Sequence, residues 1–289
     1  MDLGLRDRVY LVTGGSRGLG FAAAQALVAD GARVVLSAPH EATASSAVAR
    51  LAQNAAASDP ASWVIADNAD PDTPGRLIAA ARDRFGRLDG ALISVGGSPP
   101  GTVAETTDEA WRSAFESVFL GAVRLARILA ADLAGRGDDG AAAGSVTGAG
   151  SVTGAGAVTG PGAVSGAGAS IVFVLAASVR VPLAELAIAN GLFPGLAGVV
   201  KTLAGELGPA GIRVNALLPV RIATDRVREL DALQGDPDEV RAQLSEHIPL
   251  RRYGEPEEFG RATAFVLSPA ASYITGAMIP VDGGAISSI

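Results

Sequence analysis

A glycine-rich turn near the start of the chain constrains the fold more than any other feature. Gly14, Gly18 and Gly20 directly follow the β-branched run Val9–Thr13 and precede an apolar run over residues 21–29. Glycine lets the backbone turn tightly and approach a pyrophosphate, which then lies at the positive end of the helix. This order predicts a nucleotide site, and the alternative is a tight turn without a ligand. The residues expected to hold the phosphates are Gly14, Ser16, Arg17, Gly18, Leu19 and Gly20.

Short β-branched runs alternate with longer amphipathic segments along the rest of the chain. This pattern is typical of a parallel sheet with helices on both faces. We predict an α/β fold with a doubly wound, parallel sheet of seven strands: Val9–Thr13, Arg33–Ser37, Ser62–Ala66, Gly90–Ser94, Ser170–Leu175, Ile212–Leu217 and Met278–Val281. The longest helices are expected over Asp108–Ala134 and Ala184–Leu207, and residues 1–289 are expected to form a single domain.

The charge balance excludes several classes of partner. The 289 residues carry a net charge of −7, whereas nucleic-acid binders concentrate Lys and Arg on one face. Neither nucleic acid nor an anionic membrane is therefore expected as a partner. Cysteine is absent and the two histidines, His40 and His247, lie far apart, so no metal site is predicted. The sequence shows no apolar leader and no run of ~20 apolar residues, which predicts a cytoplasmic location.

A hexapeptide repeat interrupts the alternation before the fifth predicted strand. Residues 144–149 read Gly-Ser-Val-Thr-Gly-Ala, residues 150–155 repeat them, and looser copies begin at Gly156 and Gly162. We interpret residues 136–169 as a low-complexity insertion in a surface connection. One hypothesis is a lid or an assembly element in which the evenly spaced valines stack. The other is a flexible loop without a function, because long surface insertions cost little free energy.

These motifs together resemble the short-chain dehydrogenase/reductase family, which has a Rossmann-type fold. The spacing Thr-Gly-x-x-x-Gly-x-Gly over residues 13–20 is similar to the family's phosphate turn, and the resemblance runs from Arg8 to Gly284 outside the repeat. Asp67 stands where the family's aspartate meets the adenine, and Thr224 matches a family threonine. Further matches are Arg213-Val214-Asn215-Ala216 and Val281-Asp282-Gly283-Gly284. The resemblance implies a nicotinamide dinucleotide held by the turn, Asp67 and Thr224.

The second predicted strand bears on the choice of cofactor. It ends in Ser37-Ala38-Pro39-His40, which has no carboxylate to hold the ribose hydroxyls of NAD(H). NADP(H) is therefore favoured and NAD(H) is less favoured. Arg17 lies where members of the family place a basic side chain on the 2′-phosphate. The alternative for Arg17 is a solvated surface arginine.

The resemblance also locates the family's catalytic tetrad. In the family a tyrosine is the general acid/base, a lysine lowers its pKa and holds the ribose, a serine polarises the carbonyl, and an asparagine completes the set. The serine, tyrosine, lysine and asparagine positions fall on Ala176, Ala189, Phe193 and Val118, all of them apolar. The single lysine, Lys201, is not preceded by a tyrosine at the required spacing. This change leaves open the alternative that no nicotinamide cofactor binds.

Four polar residues near the predicted strand ends are candidates to replace the lost groups. Glu185 or Asn190 is a candidate for proton transfer, and Arg180 or Arg221 for holding an oxyanion or a carboxylate. Each has a structural alternative, since Glu185 is also suited to the first turn of a helix and the arginines to the rim of the site. Residues 220–252 are polar and correspond to the part of the family that closes over the substrate.

Three hypotheses about function follow. The main one is a small-molecule enzyme with non-redox or atypical chemistry, such as isomerisation, cyclisation or elimination. An alternative is an NADP(H)-dependent oxidoreductase with a relocated acid/base residue, which the intact glycine turn favours. The third is a non-catalytic subunit that pairs with an active homologue. A homo-oligomer, as a dimer or tetramer, is expected in the first two cases and a hetero-oligomer in the third.

Overall fold

Seven parallel strands form the centre of the protein. The computed structural model describes residues 2–53, 55, 59–135 and 168–288. The strands lie in the order β3-β2-β1-β4-β5-β6-β7, so the order reverses beside β1. The predicted Rossmann-type, doubly wound sheet is confirmed. The strands are β1 (Val9–Val12), β2 (Arg33–Ala38), β3 (Ala61–Ile65), β4 (Gly90–Ser94), β5 (Ser170–Val174), β6 (Arg213–Pro219) and β7 (Met278–Val281).

Helices connect the strands and cover both faces of the sheet. They are α1 (Gly18–Ala29), α2 (Glu41–Gln53), α3 (Thr73–Phe85), α4 (Asp108–Ala114), α5 (Gly121–Ala134), α6 (Ala187–Leu207), α7 (Asp225–Ala232), α8 (Pro237–Ser245) and α9 (Pro256–Leu267). A π turn (Phe115–Leu120) joins α4 to α5, and a 3₁₀ turn (Ala177–Val179) follows β5. Residues 136–167, which hold most of the predicted insertion, lie outside the described residues.

The core consists of two apolar layers, one on each face of the sheet. Along β1, Leu11 belongs to the layer under α3, α4, α5 and α6, while Tyr10 and Val12 belong to the layer under α1, α2 and α9. Successive side chains of a strand point to opposite faces, so one strand supplies both layers. The central strands are therefore buried on both sides, and for this reason their sequences read as continuous apolar runs.

The predicted strand boundaries are close to the observed ones. β4 and β7 coincide with the prediction, and β6 extends two residues further, to Pro219. The two long helices differ more. The predicted helix Asp108–Ala134 is interrupted by the π turn, and α6 begins at Ala187 instead of Ala184. Glu185 prevents an earlier start because its φ is +57° and its carbonyl accepts a hydrogen bond from Gly101 at 2.7 Å.

Helix α6 is the one described segment that is long and apolar enough to cross a membrane. Together with its 3₁₀ extension it covers Ala187–Ala210. Its buried side chains, among them Leu196 and Val200, lie in the layer that packs on β5 and β6. A core helix of an α/β protein has this composition, and α6 occupies that place in the fold. The cytoplasmic location stays a prediction.

Candidate functional site

The glycine-rich turn after β1 is built so that its backbone stays open. Gly14 and Gly18 have φ values of +61° and +55°, which a residue with a side chain rarely adopts. A methyl group on Gly20 would lie 2.4 Å from the carbonyl oxygen of Gly14. The turn is anchored on β2, because the Gly14 N–H donates to Ser37 Oγ at 3.3 Å and the Gly15 N–H donates to the Ser37 carbonyl at 3.2 Å. The predicted turn therefore requires its glycines for both conformation and space.

The start of α1 presents N–H groups to this turn. The first N–H groups of a helix have no partner within the helix. Arg17 occupies the cap position without a side-chain hydrogen bond to the helix, and the first turn contains no acidic residue. Ser16, Leu19 and Gly18 are half-buried, whereas the Arg17 side chain is exposed. An anion is favoured at such a helix end, so the geometry of these residues fits a bound phosphate group.

Thr224 and Asp67 border the turn region from two other loops. Thr224 caps α7 by accepting a hydrogen bond from the Val227 N–H, and its methyl group lies 3.8 Å from the point where a Gly18 side chain would begin. Asp67 is exposed after β3, and its carboxylate accepts a hydrogen bond from the Ala69 N–H at 2.9 Å. Thr224 thus lies against the phosphate turn. The binding roles of both residues stay predictions.

The four positions predicted to match the family's tetrad lie in the apolar layer under α4, α5 and α6. Ala189, Phe193 and Val118 are buried, and Ala176 is half-buried beside them. Val118 lies inside the π turn, a local distortion that often occurs at functional positions. None of these side chains offers a proton or a charge, and the structure places them in contact with the protein core.

Two glycines of α6 bring the neighbouring helices unusually close. A side chain on Gly191 would lie 2.8 Å from the Trp111 ring, and one on Gly195 would lie 2.9 Å from the Phe119 ring. The two aromatic rings therefore pack on the same stretch of α6 that carries Ala189 and Phe193. Large side chains fill the space beside this stretch, which makes this side of the site apolar.

Asn190 and Arg180, two of the proposed replacement residues, hold local structure. Asn190 Oδ1 accepts a hydrogen bond from the Leu183 N–H at 2.9 Å, and its Nδ2 donates to the Leu183 carbonyl at 2.7 Å. These two hydrogen bonds close the turn before α6. Arg180 donates to the carbonyls of Met278 and Ser288 at 3.1 and 3.4 Å, so it joins the loop after β5 to β7 and the C-terminal segment. Their catalytic roles stay predictions that these contacts do not favour.

Arg221 is already paired with a buried carboxylate. Its Nη1 lies 2.5 Å from Oδ1 of Asp231, whose side chain is 3% exposed, and the Tyr253 hydroxyl donates to Oδ2 of Asp231 at 3.0 Å. Arg221 has a φ of +49°, and its guanidinium lies 5.9 Å from the centre of the Tyr253 ring. This network attaches the loop after β6 to α7 and to the segment before α9. The charge of Arg221 is compensated by Asp231, which disfavours its predicted role as an oxyanion holder.

The network makes stability depend on pH in a defined direction. Burial, together with the Asp231 carboxylate, raises the pKa of Tyr253 from 10.0 to about 12. The folded state therefore holds the phenolic proton more tightly than the unfolded state, so this contribution is complete below pH 10 and is lost as the pH rises toward 12. We expect Tyr253→Phe to lower the Tm at pH ~8, with a difference from the wild type that narrows above pH ~10. Thermal melts of both proteins across this pH range test the prediction. A difference in Tm that stays constant with pH would contradict it.

Glu185 is the one of the four candidates whose side chain has no hydrogen-bonding partner among the described residues. It is exposed, and its backbone joins the loop after β4, since the Gly101 N–H donates to its carbonyl and the Ala187 N–H donates to the Gly101 carbonyl at 3.1 Å. The prediction that Glu185 begins a helix is wrong, because α6 starts two residues later. The Glu185 carboxylate therefore lies at the edge of the paired loops after β4 and before α6. It remains available to bind or to exchange a proton with a ligand.

Three further polar residues lie near the site, of which Ser178 was a weak sequence candidate and Asp231 and Arg226 were not predicted. Ser178 is buried and its Oγ donates weakly to the carbonyl of Ala189 at 3.4 Å. Asp231 is the buried partner of Arg221, and Arg226 donates to the Ser98 carbonyl at 3.2 Å. Their positions depend on contacts between elements far apart in the chain. The sequence signal for Arg226 is its place two residues after Thr224, at the start of the predicted substrate loop.

Comparisons with known proteins agree with this architecture. A family model described as short chain dehydrogenase matches residues 8–167, and one described as Enoyl-(Acyl carrier protein) reductase matches residues 162–285. An uncharacterized oxidoreductase of Mycobacterium tuberculosis is 32% identical over 97% of this chain and 92% of its own length. The L-rhamnose 1-dehydrogenase (NAD(P)(+)) of Azotobacter vinelandii is 31% identical over 97% of both chains.

Solved structures give the same result. The L-sorbose reductase of Gluconobacter frateurii, crystallised with NADPH and L-sorbose, superposes with a TM-score of 0.83 at 27% identity and covers 100% of both chains. The family model of residues 8–167 spans more than half of the 289 residues, and the relatives match nearly the whole length. With the strand order and the glycine turn described above, these matches show that the chain belongs to the short-chain dehydrogenase/reductase family.

Proposed function

We propose that this protein is an NADP(H)-dependent oxidoreductase of a small hydroxyl or carbonyl compound, with its acid/base residue moved away from the family position. The observation that carries the proposal is the phosphate turn, whose glycines keep both the conformation and the space that a pyrophosphate needs. The relatives include a dehydrogenase described as NAD(P)(+)-dependent and a reductase crystallised with NADPH. They favour this alternative over isomerisation, cyclisation or elimination.

The preference for NADP(H) depends on the groups at the end of β2. Ser37 is buried and its hydroxyl is already bonded to Gly14, and Pro39 and His40 are exposed. Residues 37–40 contain no carboxylate, and the first one after the strand is Glu41, in the first turn of α2. The Arg17 side chain is exposed at the start of α1 and forms no hydrogen bond with another described residue. The 2′-phosphate of NADP(H) is negatively charged and would give the Arg17 guanidinium an ionic partner. These features support NADP(H) as the cofactor and make NAD(H) the weaker ligand.

The apolar tetrad positions change what the protein does with a bound nicotinamide. When bound, the cofactor accepts a hydride from an alcohol carbon or returns one to a carbonyl carbon. Ala189, Phe193 and Val118 cannot move a proton, and all three are buried in the apolar core. The proton that leaves the alcohol oxygen in the oxidation direction must therefore pass to another group.

We assign this proton transfer to Glu185. Asn190 is held by Leu183 and Arg221 by Asp231, whereas the Glu185 carboxylate is free among the described residues and lies just before α6. The Glu185 carboxylate would take the hydroxyl proton in the oxidation direction and would return it in the reduction direction. The homo-oligomeric state and the cytoplasmic location are parts of the proposal that sedimentation and fractionation would test.

Glu185→Gln is the variant that tests this assignment. We expect kcat to fall by ~100-fold, while the Kd for NADPH stays within about twofold, because the amide keeps the shape but cannot take a proton. The reaction is followed by NADPH absorbance with sugars and polyols as probes, beginning with L-rhamnose and L-sorbose. Glu206→Gln is the control, since Glu206 is an exposed glutamate at the far end of α6.

Two results would contradict the proposal. An unchanged kcat in Glu185→Gln would remove Glu185 from the reaction. A wild-type protein that binds neither NADPH nor NADH in a calorimetric titration would exclude the oxidoreductase function. A fall in kcat in Glu185→Gln supports the assignment only if the control Glu206→Gln retains the activity of the wild type.

A further inference from the structure

Arg226 lies over the loop that leaves β4. It is the second residue of α7, and its Nη2 donates to the Ser98 carbonyl at 3.2 Å. A side chain on Gly97 would begin 3.2 Å from Nε of Arg226. Gly97 is not among the glycines with a positive φ, so glycine at this position provides room for the guanidinium and is not needed for the conformation.

The first turn of α7 spans the crevice in which this fold binds ligands. Thr224, the cap of α7, lies against Gly18 of the phosphate turn, and Arg226 lies against the Gly97-Ser98 backbone. The phosphate turn follows β1 and the other loop follows β4, and the strand order reverses beside this pair. Ligands of open α/β sheets bind outside the carboxyl ends of the strands at such a reversal. Arg226 is therefore a cation placed at the ligand crevice.

The charge of Arg226 is only weakly compensated. Within the described part of the chain its ionic partner is Glu229, at 3.5 Å in an exposed pair one turn along the same helix. Such pairs contribute little free energy. Its neighbour Arg228 differs, because Arg228 is paired with Asp238 of α8 at 2.9 Å. A guanidinium has five N–H donors, and the Ser98 carbonyl and Glu229 leave the others for a further acceptor.

We propose that Arg226 binds an anionic oxygen of the ligand in this crevice, either a phosphate of the dinucleotide or a carboxylate of the substrate. Phe193 stands where the family's lysine is predicted, and Arg226 offers a positive charge from the first turn of α7. On binding, the guanidinium exchanges its bond to the neutral Ser98 carbonyl for one to a charged oxygen, which is the stronger acceptor. This inference rests on the proposed function for the identity of the ligand.

The test compares Arg226→Gln and Arg226→Lys with Arg228→Gln as the matched control on the same helix. NADPH is titrated calorimetrically into each protein, and acetoacetate, a small 3-oxo carboxylate, is titrated into each protein saturated with NADP⁺ and without it. We expect Arg226→Gln to raise the Kd of one of these ligands by ~10-fold or more, because the variant loses one charged hydrogen bond. Arg226→Lys should recover part of the affinity, and Arg228→Gln should bind as the wild type does.

The outcome identifies the source of the anion. Weaker NADPH binding assigns Arg226 to a dinucleotide phosphate, and weaker acetoacetate binding alone assigns it to a substrate carboxylate. If Arg226→Gln binds both ligands as the wild type does, or if the wild type binds neither, the inference is overturned. A wild type that binds acetoacetate but no NADPH overturns the proposed function, and the loss of acetoacetate binding in Arg226→Gln then still supports Arg226 as the anion-binding residue.

Discussion

Replacing Gly20 with alanine is expected to weaken NADPH binding by ~100-fold, the cost of a misplacement of about 1 Å. The added methyl group would lie 2.4 Å from the Gly14 carbonyl oxygen and 2.9 Å from the Gly14 carbonyl carbon. Both atoms belong to the backbone, so the turn itself must move away from α1. The N–H groups that face the phosphate move with it. A calorimetric titration with NADPH measures the loss, and a thermal melt records how much of the fold is retained.

Gly75→Ala is the matched control for this experiment. Gly75 lies in α3, and a side chain at this position meets no atom within 4 Å. Alanine in a helix is more stable than glycine by ~0.5–1 kcal/mol, so this variant should be slightly stabilised and should bind NADPH unchanged. If Gly20→Ala kept the wild-type affinity with an intact melt, the phosphates would not lie on this turn.

Replacing Arg213 with methionine is expected to lower the free energy of unfolding by about 3 kcal/mol or more. The Arg213 side chain is buried at the end of β6 that faces away from the site, and burial lowers its pKa. It has no carboxylate partner in the described part of the protein. Its four hydrogen bonds go to carbonyls at and after the C-terminus of α9, namely those of Val266, Leu267, Ser268 and Ile274.

The expected loss has two physical causes. The negative end of the α9 dipole stabilises the positive guanidinium, and the guanidinium in turn satisfies carbonyls that the helix leaves without a donor. Methionine fills a similar volume but donates no hydrogen bond. Urea unfolding measures the change, with Arg127→Met as the control because Arg127 is exposed on α5. A loss no larger than that of the control would mean that Arg213 does not stabilise the end of α9.

The seven parallel strands and the position of the phosphate turn were predictable from the sequence. Buried strands read as short β-branched runs because helices cover both faces of the sheet. The glycines of the turn are recognisable because backbone conformation and close packing allow no other residue at Gly14 and Gly20. Both signals are local, since they depend on residues adjacent in the chain. The tetrad positions were assigned in the same way, by counting along the chain, and their assignment stays a prediction.

The candidate site was less predictable because several of its polar side chains form hydrogen bonds with other residues of the protein. Asn190 closes a turn through Leu183, and Arg221 pairs with Asp231, so two residues with suitable chemistry are occupied. The start of α6 also differed, because Gly101 bonds to the Glu185 carbonyl across the loop pair. A sequence pattern describes the residue type but not the partner that competes for its hydrogen bonds.

The sequence alone therefore determined the fold, the family resemblance and the apolar character of Ala176, Ala189, Phe193 and Val118. Only the tertiary structure decided which polar groups remain available. It paired Arg221 with a buried carboxylate, left the Glu185 side chain without a partner among the described residues, and placed Arg226 against the Ser98 carbonyl of the loop after β4. The reason is physical: local periodicity sets the elements, whereas the free energy of a buried or bridging charge depends on the groups that packing brings to it.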